Sequence, residues 1–312
     1  MLPDARMSRH VITGAISGKQ LNIPDANAPP IPEIAAPGVI LNGEPATNFG
    51  AINSALGYPD VRSFRRKLGL LIPATNTSME HELWSLLRGN DELEGIGFHT
   101  ANVTTPRPQI RSATDLLEYQ RQFLEGLTAA VDQILLAEPQ YLIMGMSLEH
   151  ILRGIDEVRA PMGEVEAHAG IPMATCHDAV FAALERFGAK KIGLLTPFDK
   201  LGNENAAQMY VDLGFEVVAT AGFSCANTLH IAHLPEWAKE KAIIELLATP
   251  DNKLDAVVQC GTNMSLCQLS ERLEPQLGIP ILGINAVVLW YALRENGFAT
   301  AVDGGGMLLR EH

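Results

Sequence analysis

The sequence predicts an α/β protein built of two pseudo-symmetric lobes, each a parallel four-stranded sheet with helices, with an active site in the cleft between them. Three observations carry this. Short apolar runs bounded by turn formers, such as Leu68-Gly69-Leu70-Leu71-Ile72 and Ala256-Val257-Val258, are each followed by a segment of helical spacing; that alternation is the mark of buried parallel strands. The chain also repeats itself. Lys67 to Pro73 (KLGLLIP) matches Lys191 to Pro197 (KIGLLTP), Tyr141 to Ser147 matches Asp255 to Thr262, and Gly170-Ile171-Pro172 matches Gly278-Ile279-Pro280. Finally, the matched strand ends carry Gly145 in one copy and Cys260 in the other, at the sheet edge where open α/β sheets bind ligands.

Taken in order, residues 1 to 60 hold eight of the nineteen prolines and no sustained period of 3.6 or 2. They read either as disorder or as a Pro-rich arm that packs on the core or on a neighbouring subunit of a homo-oligomer. Lys67 to Pro73 is the first strand, and the segment carrying Met79, Leu83, Leu86 and Leu87 is the first helix. Ile96 to Val103 is a strand, Thr104 to Arg111 a loop over the strand ends, and Leu116 to Leu136 a long amphipathic helix. The Tyr141 strand precedes a helix through Ile151, Ile155 and Val158. Gly170-Ile171-Pro172 then opens a short strand and a helix ending at Gly188, and Gly278-Ile279-Pro280 opens their counterparts, ending at Gly297. Met264 to Leu277 has helical spacing directly after Cys260 and Gly261. The expected division is an arm (1–60), a first lobe (61–176 plus 285–312) and a second lobe (177–284). The helix from Asn285 crosses back to the first lobe, and the helix from His177 crosses to the second.

Composition narrows the function classes. With 312 residues, 47% of them hydrophobic, the chain can bury one large core or two ordinary ones. A net charge of -13 argues against nucleic acid and against an anionic membrane surface. There is no leader-like apolar segment and no run of membrane-spanning length. The four cysteines, Cys176, Cys225, Cys260 and Cys267, have neither CxxC nor zinc-site spacing, so no metal and no disulfide framework is expected, and a reducing, cytoplasmic setting fits. No phosphate-binding glycine motif follows a strand, and no cofactor is expected.

At three places the chain resembles the aspartate/glutamate racemase superfamily, in particular its maleate cis-trans isomerase and arylmalonate decarboxylase branch, over about residues 61 to 312. Pro73-Ala-Thr-Asn76-Thr-Ser-Met-Glu80 resembles the isomerases' loop whose asparagine contacts a substrate carboxylate. Met144-Gly145-Met146-Ser147-Leu148 resembles the decarboxylases' segment in which glycine replaces the first of two catalytic cysteines. Cys260-Gly261 resembles the surviving cysteine and the glycine of its dioxyanion hole. Two departures stand out: Met146 occupies the place of a hydroxyl, and Phe198 that of a tyrosine. Gly145 cannot attack an alkene, which weighs against double-bond isomerisation.

The resemblance implies a cofactor-independent carbon-acid enzyme for a small carboxylate or dicarboxylate, with Cys260 as proton donor and decarboxylation of a substituted malonate as the leading reaction. Maleate isomerisation, amino-acid-type racemisation and non-catalytic carboxylate binding are the alternatives. Cys260 read as a small buried hydrophobe is the plainer option. An enediolate carries two negative oxygens, and the N–H groups of Gly261 and Thr262 with the Ser147 hydroxyl are available donors. Ser147 could equally be a helix cap, and so could Asn76 and Thr77. Gly145, Met146 and Phe198 would line the pocket. Cys176 and His177, ending the strand from Ile171, would line it or serve as core, and Lys200 reads as a solvated helix-start lysine. Cys225 and Cys267 read as structural.

Overall fold

The computed structural model describes residues 40–41, 44–45, 60–104 and 113–312. Most of the arm and nearly all of the loop expected over Thr104 to Arg111 lie outside the described residues. Within the arm, β1 (Ile40–Leu41) and β2 (Glu44–Pro45) pair antiparallel.

The first sheet is built from β3 (Arg66–Pro73), β4 (Ile96–Val103), β5 (Tyr141–Met144) and β6 (Met173–Ala174), in the spatial order β4-β3-β5-β6. The second comprises β7 (Lys191–Thr196), β8 (Glu216–Gly222), β9 (Ala256–Gln259) and β10 (Ile281–Gly283), ordered β8-β7-β9-β10. All pairings within both sheets are parallel. The two copies share one strand order: second, first, third and fourth of each occupy the same sites.

Register makes the equivalence atomic. Leu71 lies beside Met144 in one sheet and Leu195 beside Gln259 in the other. One residue further on, Gly145 N–H donates to Leu71 O at 2.7 Å and Cys260 N–H donates to Leu195 O at 2.9 Å. Gly145 and Cys260 thus occupy the same rung of two copies of one sheet.

The helices, numbered along the chain, are α1 (Met79–Arg88), α2 (Ala113–Leu135), α3 (Ile155–Ala169), α4 (Cys176–Phe187), α5 (Lys200–Asp212), α6 (Thr228–Ile231), α7 (Glu236–Ala242), α8 (Cys267–Leu277), α9 (Ile284–Glu295) and α10 (Met307–Glu311). Local chemistry sets several ends. Thr175 Oγ1 accepts from Asp178 N–H at the start of α4, and Asp199 Oδ1 accepts from Gly202 N–H at the start of α5. The helices preceding the repeated Gly-Ile-Pro turns stop on glycines in the left-handed region, Gly170 at φ 65° and Gly278 at φ 70°, a conformation β-carbon-bearing residues resist.

Three expected boundaries shift. Ile151 lies in a turn before α3 rather than inside it. Cys176 and His177 open α4 instead of closing the preceding strand. The helix after Cys260 begins at Cys267, not Met264, because residues 261–266 form an irregular loop whose polar atoms bond across the cleft. Among the described residues, no helix is long and apolar enough to cross a membrane.

Helix α9 has no polar stripe: from Ile284 to Leu293 every residue is buried. Such a helix needs apolar surroundings on all sides. It packs on α1, β5 and β6 of the first sheet, on α4 and on its own β10, so it returns from the second sheet to the first as the repeat predicts.

Candidate active site

Cys260 follows β9 directly and is completely buried. Its loop is shaped by Gln259, whose amide donates to the Cys260 and Gly261 carbonyls at 2.6 and 2.7 Å while its Oε1 accepts from Ile284 N–H at 3.0 Å. Gly261 sits at φ 88°, and a β-carbon there would lie 2.7 Å from Pro197 Cγ. A glycine is required to turn the chain at this point. The turn aims Gly261 N–H at the opposite lobe, where it donates to Ser147 Oγ at 3.2 Å.

Most of the predicted set converges here, with its polar groups bonded to one another. Thr262 Oγ1 donates to Gly145 O at 2.8 Å and accepts from Asn76 Nδ2 at 2.9 Å. Asn76 Oδ1 meanwhile accepts from Ser78 and Met79 N–H at 3.1 and 3.0 Å. The capping and site readings of Asn76 therefore hold together: its oxygen starts α1 and its amide faces the cleft. Thr77 N–H donates to Asn263 Oδ1 at 2.9 Å. Thr262 is two residues from Cys260, and two residues of chain reach about 7 Å, so Gly145 and Cys260 flank one small space.

The remaining predicted positions fall both with and against expectation. Helix α8 does not present its N-terminus to a ligand: Leu266 and Cys267 N–H both donate to Glu82 Oε1 of α1 at 2.9 Å. Met146 and Phe198 are buried, and the Phe198 ring stacks on His150 at 4.7 Å. Cys176 Sγ lies 3.6 and 3.5 Å from the Met144 and Met146 carbonyls. Burial pushes the Cys176 thiol far up, the behaviour of a core cysteine. His177 is buried beside Thr175 and Asp178. Lys200 is on the surface, 3.9 Å from Glu204.

Gly145 holds a second difference. A β-carbon at 145 would meet Ile72 Cγ2 at 2.6 Å, Met79 Sδ at 2.7 Å and the Leu71 carbonyl oxygen at 2.8 Å. The position is closed by packing, with no room waiting for a thiol, and a backbone oxygen cannot swing away. Gly145→Cys is thus expected to lose about 1–3 kcal/mol of stability through overpacking, read from the denaturant midpoint. A midpoint equal to the parent's would mean that this strand end yields freely.

Three groups around this site escape sequence reasoning. Tyr210 of α5 brings its hydroxyl to 3.6 Å from Cys260 Sγ, supplying from a helix the phenol that Phe198 lacks. His150 is held neutral, its pKa lowered to about 4 chiefly by burial. Glu149, on the loop after β5 that also carries Ser147, is buried near the Cys260 thiol. Burial pushes the Glu149 pKa up, partly offset by the polar groups around it. The Cys260 thiol is pushed well above its ordinary value, first by burial and then by the Glu149 charge, with the Tyr210 hydroxyl opposing. A signal for Glu149 existed: an acidic residue directly behind a buried strand end, two positions from Ser147. Tyr210 gave none, because only the fold brings α5 over β9.

The arrangement buries a thiol beside a phenol, a carboxyl and polar groups from both lobes. Burial of this kind strengthens electrostatic contacts made to a forming anion.

Comparisons with known proteins agree with this fold. The maleate isomerase of Nocardia farcinica is 25% identical over 251 residues, covering 79% of this chain and 96% of that protein. Among solved structures, a mutant maleate cis-trans isomerase from Nocardia farcinica, carrying a covalently bound succinylcysteine intermediate, superposes with a TM-score of 0.66 at 22% identity. It covers 79% of this chain and 99% of its own. A double mutant of arylmalonate decarboxylase in liganded form gives a TM-score of 0.62 at 14% identity, covering 78% of this chain and 98% of its own. The model of the arylmalonate decarboxylase family matches residues 138–309, which include both Gly145 and Cys260, and the chain belongs to that family.

Proposed function

We propose that this chain is a cofactor-independent carbon-acid enzyme that decarboxylates a substituted malonate through an enediolate, with Cys260 delivering the proton to one face. The observation that carries the reading is the shared rung of Gly145 and Cys260: one copy of the repeat offers a thiol, the other no side chain. A thiol held neutral suits a proton donor, whereas a nucleophile must be a thiolate. The donors that now bond across the cleft, Asn76 Nδ2, Thr262 Oγ1 and Gly261 N–H, are the groups a substrate carboxylate would engage once the lobes part. Ser147, which accepts from Gly261 N–H, is then free to donate its own hydroxyl proton. The four cysteines are free thiols, which supports a reducing, cytoplasmic setting.

Maleate isomerisation is the second reading, favoured by the names of the curated relatives, among them the maleate isomerases of Nocardia farcinica and Alcaligenes faecalis. The test offers aryl- and alkylmalonates alongside maleate, in deuterated water. Carbon dioxide release, with deuterium in the α-position of a single product enantiomer, is expected. Fumarate formed from maleate without carbon dioxide would transfer the assignment to the isomerase, and α-deuteration of a chiral acid without carbon loss would transfer it to a racemase. Carboxylate binding without turnover of any of these would make the chain a binding protein.

A further inference from the structure

A thiol is a weak acid, and giving up its proton gathers negative charge on a sulfur that is fully buried while the lobes are bonded together. A group that hydrogen-bonds to the sulfur as this charge forms acts on the rate. Such a group comes from α5. Tyr210 is itself buried, and its hydroxyl lies 3.6 Å from Cys260 Sγ.

Geometry alone lets either atom donate, and the chemistry of the pair favours the phenol. A phenolic O–H is a good donor, whereas an S–H is a weak one. A buried tyrosine hydroxyl also needs a partner, and among the described residues the sulfur is the one this hydroxyl meets. Helix α5 is tied to the first lobe on either side of Tyr210. Ahead of it, Asn205 Nδ2 donates to His150 O at 3.2 Å, and behind it Asp212 Oδ2 accepts from Ile155 N–H at 3.1 Å. Neither tie involves Cys260, so the approach of phenol to sulfur is set by the seating of the helix and not by the contact itself.

A contact of 3.6 Å is long, and that leaves it room to act. Against a neutral thiol such a bond gains little; against a thiolate it becomes charge-assisted, shorter and roughly twice as strong. It therefore strengthens along the reaction, the condition for an interaction to raise the rate and not merely to bind.

We propose that Tyr210 is the positioning residue of Cys260: its hydroxyl donates to the sulfur, leaves the S–H directed to the Gly145 side of the cleft, and stabilises the thiolate formed when the proton goes to the carbanion. This deepens the proposed function and rests on its reading of Cys260 as proton donor. In the step, the S–H bond breaks, the product's C–H bond forms, and Tyr210 keeps its own proton. The sulfur regains a proton from water when the lobes part for product to leave, and nothing is oxidised or reduced. Burial holds the phenol well above its ordinary pKa, which suits a donor that does not ionise. The other titratable groups whose charge reaches the sulfur are Glu149, on the loop after β5, and Cys176 of α4.

The test compares the parent with Tyr210→Phe, which keeps the ring and removes only the hydroxyl. The variant should turn over aryl- and alkylmalonates about tenfold more slowly, the worth of a bond to a charged partner over one to a neutral partner, while binding an unreactive malonate analogue as the parent does. Alkylation by chloroacetamide separates this role from packing. A lost donor that raises the thiol pKa by about one cuts the thiolate fraction about tenfold, partly offset by the greater nucleophilicity of a more basic sulfur. Cys260 in Tyr210→Phe should thus be alkylated about threefold more slowly, read by mass on its own peptide, with Cys176 unchanged. Loosened packing has the opposite sign, since it would expose both thiols and speed both reactions. Parental turnover, or alkylation of Cys260 that is unchanged or faster, would overturn the proposal. Should the phenylalanine variant fold poorly, 3-fluorotyrosine at position 210 carries the test. Its more acidic phenol is a better donor, so Cys260 should react faster than in the parent with Cys176 unchanged, and an equal or lower rate would overturn the pairing. Should the parent turn over no carbon acid, the proposed function fails, and the alkylation rates alone then decide whether Tyr210 donates to Cys260.

Discussion

Cys260→Ala is expected to lower turnover by about 10²–10⁴, the contribution of a positioned general acid, while leaving carboxylate affinity nearly unchanged. The two effects separate because the cleft's anion-facing donors belong to Asn76, Thr262, Gly261 and Ser147, and none is the thiol. Alanine removes one sulfur from this buried set, so folding should persist. The partner left behind is the Tyr210 hydroxyl, whose contact with the sulfur is long at 3.6 Å. Cys260→Ser is the sharper control. It preserves size and a hydrogen-bonding proton, yet an alcohol is a far weaker acid than a thiol, so the loss should approach that of alanine. The measurement is kcat for both variants beside the dissociation constant of an unreactive malonate analogue. A loss of less than tenfold in alanine would reduce Cys260 to packing, and near-parental activity in serine would contradict proton donation by the thiol.

The features legible in the sequence are those set by local periodicity and by the repeat. Lys67 to Pro73 and Lys191 to Pro197 specify β3 and β7 because both faces of those strands are buried and both read as continuous apolar runs. Their match implies two equivalent sheets, and with it the correspondence that sets Gly145 against Cys260. Long-range chemistry was less legible. Tyr210 reads as one residue of a weakly amphipathic helix, and its approach to Cys260 exists only after α5 folds over β9. The donors expected to face a ligand, Gly261 N–H above all, instead bond across the lobes, a pairing no linear pattern encodes. Gly145 was read through what it lacks, a thiol, while its surroundings in Ile72, Met79 and Leu71 show what it avoids. Glu82 was the most visible omission. It lies on the apolar face of α1 with Met79, Leu83 and Leu86, and a charge on such a face signals a buried partner.

That partner set makes Glu82→Ala the most damaging change to stability expected in this chain, a loss of about 3–5 kcal/mol, as for breaking a buried charged network from one side. Glu82 is on the first lobe, and everything it holds comes from the second half of the chain. Oε1 accepts from Leu266 and Cys267 N–H at 2.9 Å each, and Oε2 accepts from Asn285 Nδ2 at 2.7 Å. The two backbone donors open α8, where the helix dipole adds to the attraction for a carboxylate. Asn285 in turn donates to Thr262 O at 2.9 Å, in the loop that follows Cys260. Alanine would leave buried donors without acceptors, each costing about 1–3 kcal/mol. Asn285 has little tolerance for this, because its Oδ1 is already buried without a hydrogen bond. Glu82→Gln keeps the volume and one acceptor oxygen but turns an N–H₂ toward donors, so about half the loss is expected. In urea the alanine variant should unfold at a clearly lower midpoint with the slope unchanged. In a double-mutant cycle, Glu82→Ala and Asn285→Ala should couple by more than about 0.5 kcal/mol. Activity should fall with stability, since the same contacts draw the Thr262 loop against Asn76 and Gly145. A loss below about 1 kcal/mol would mean that apolar packing of α9 alone holds the lobes together and that the carboxylate merely fills its place.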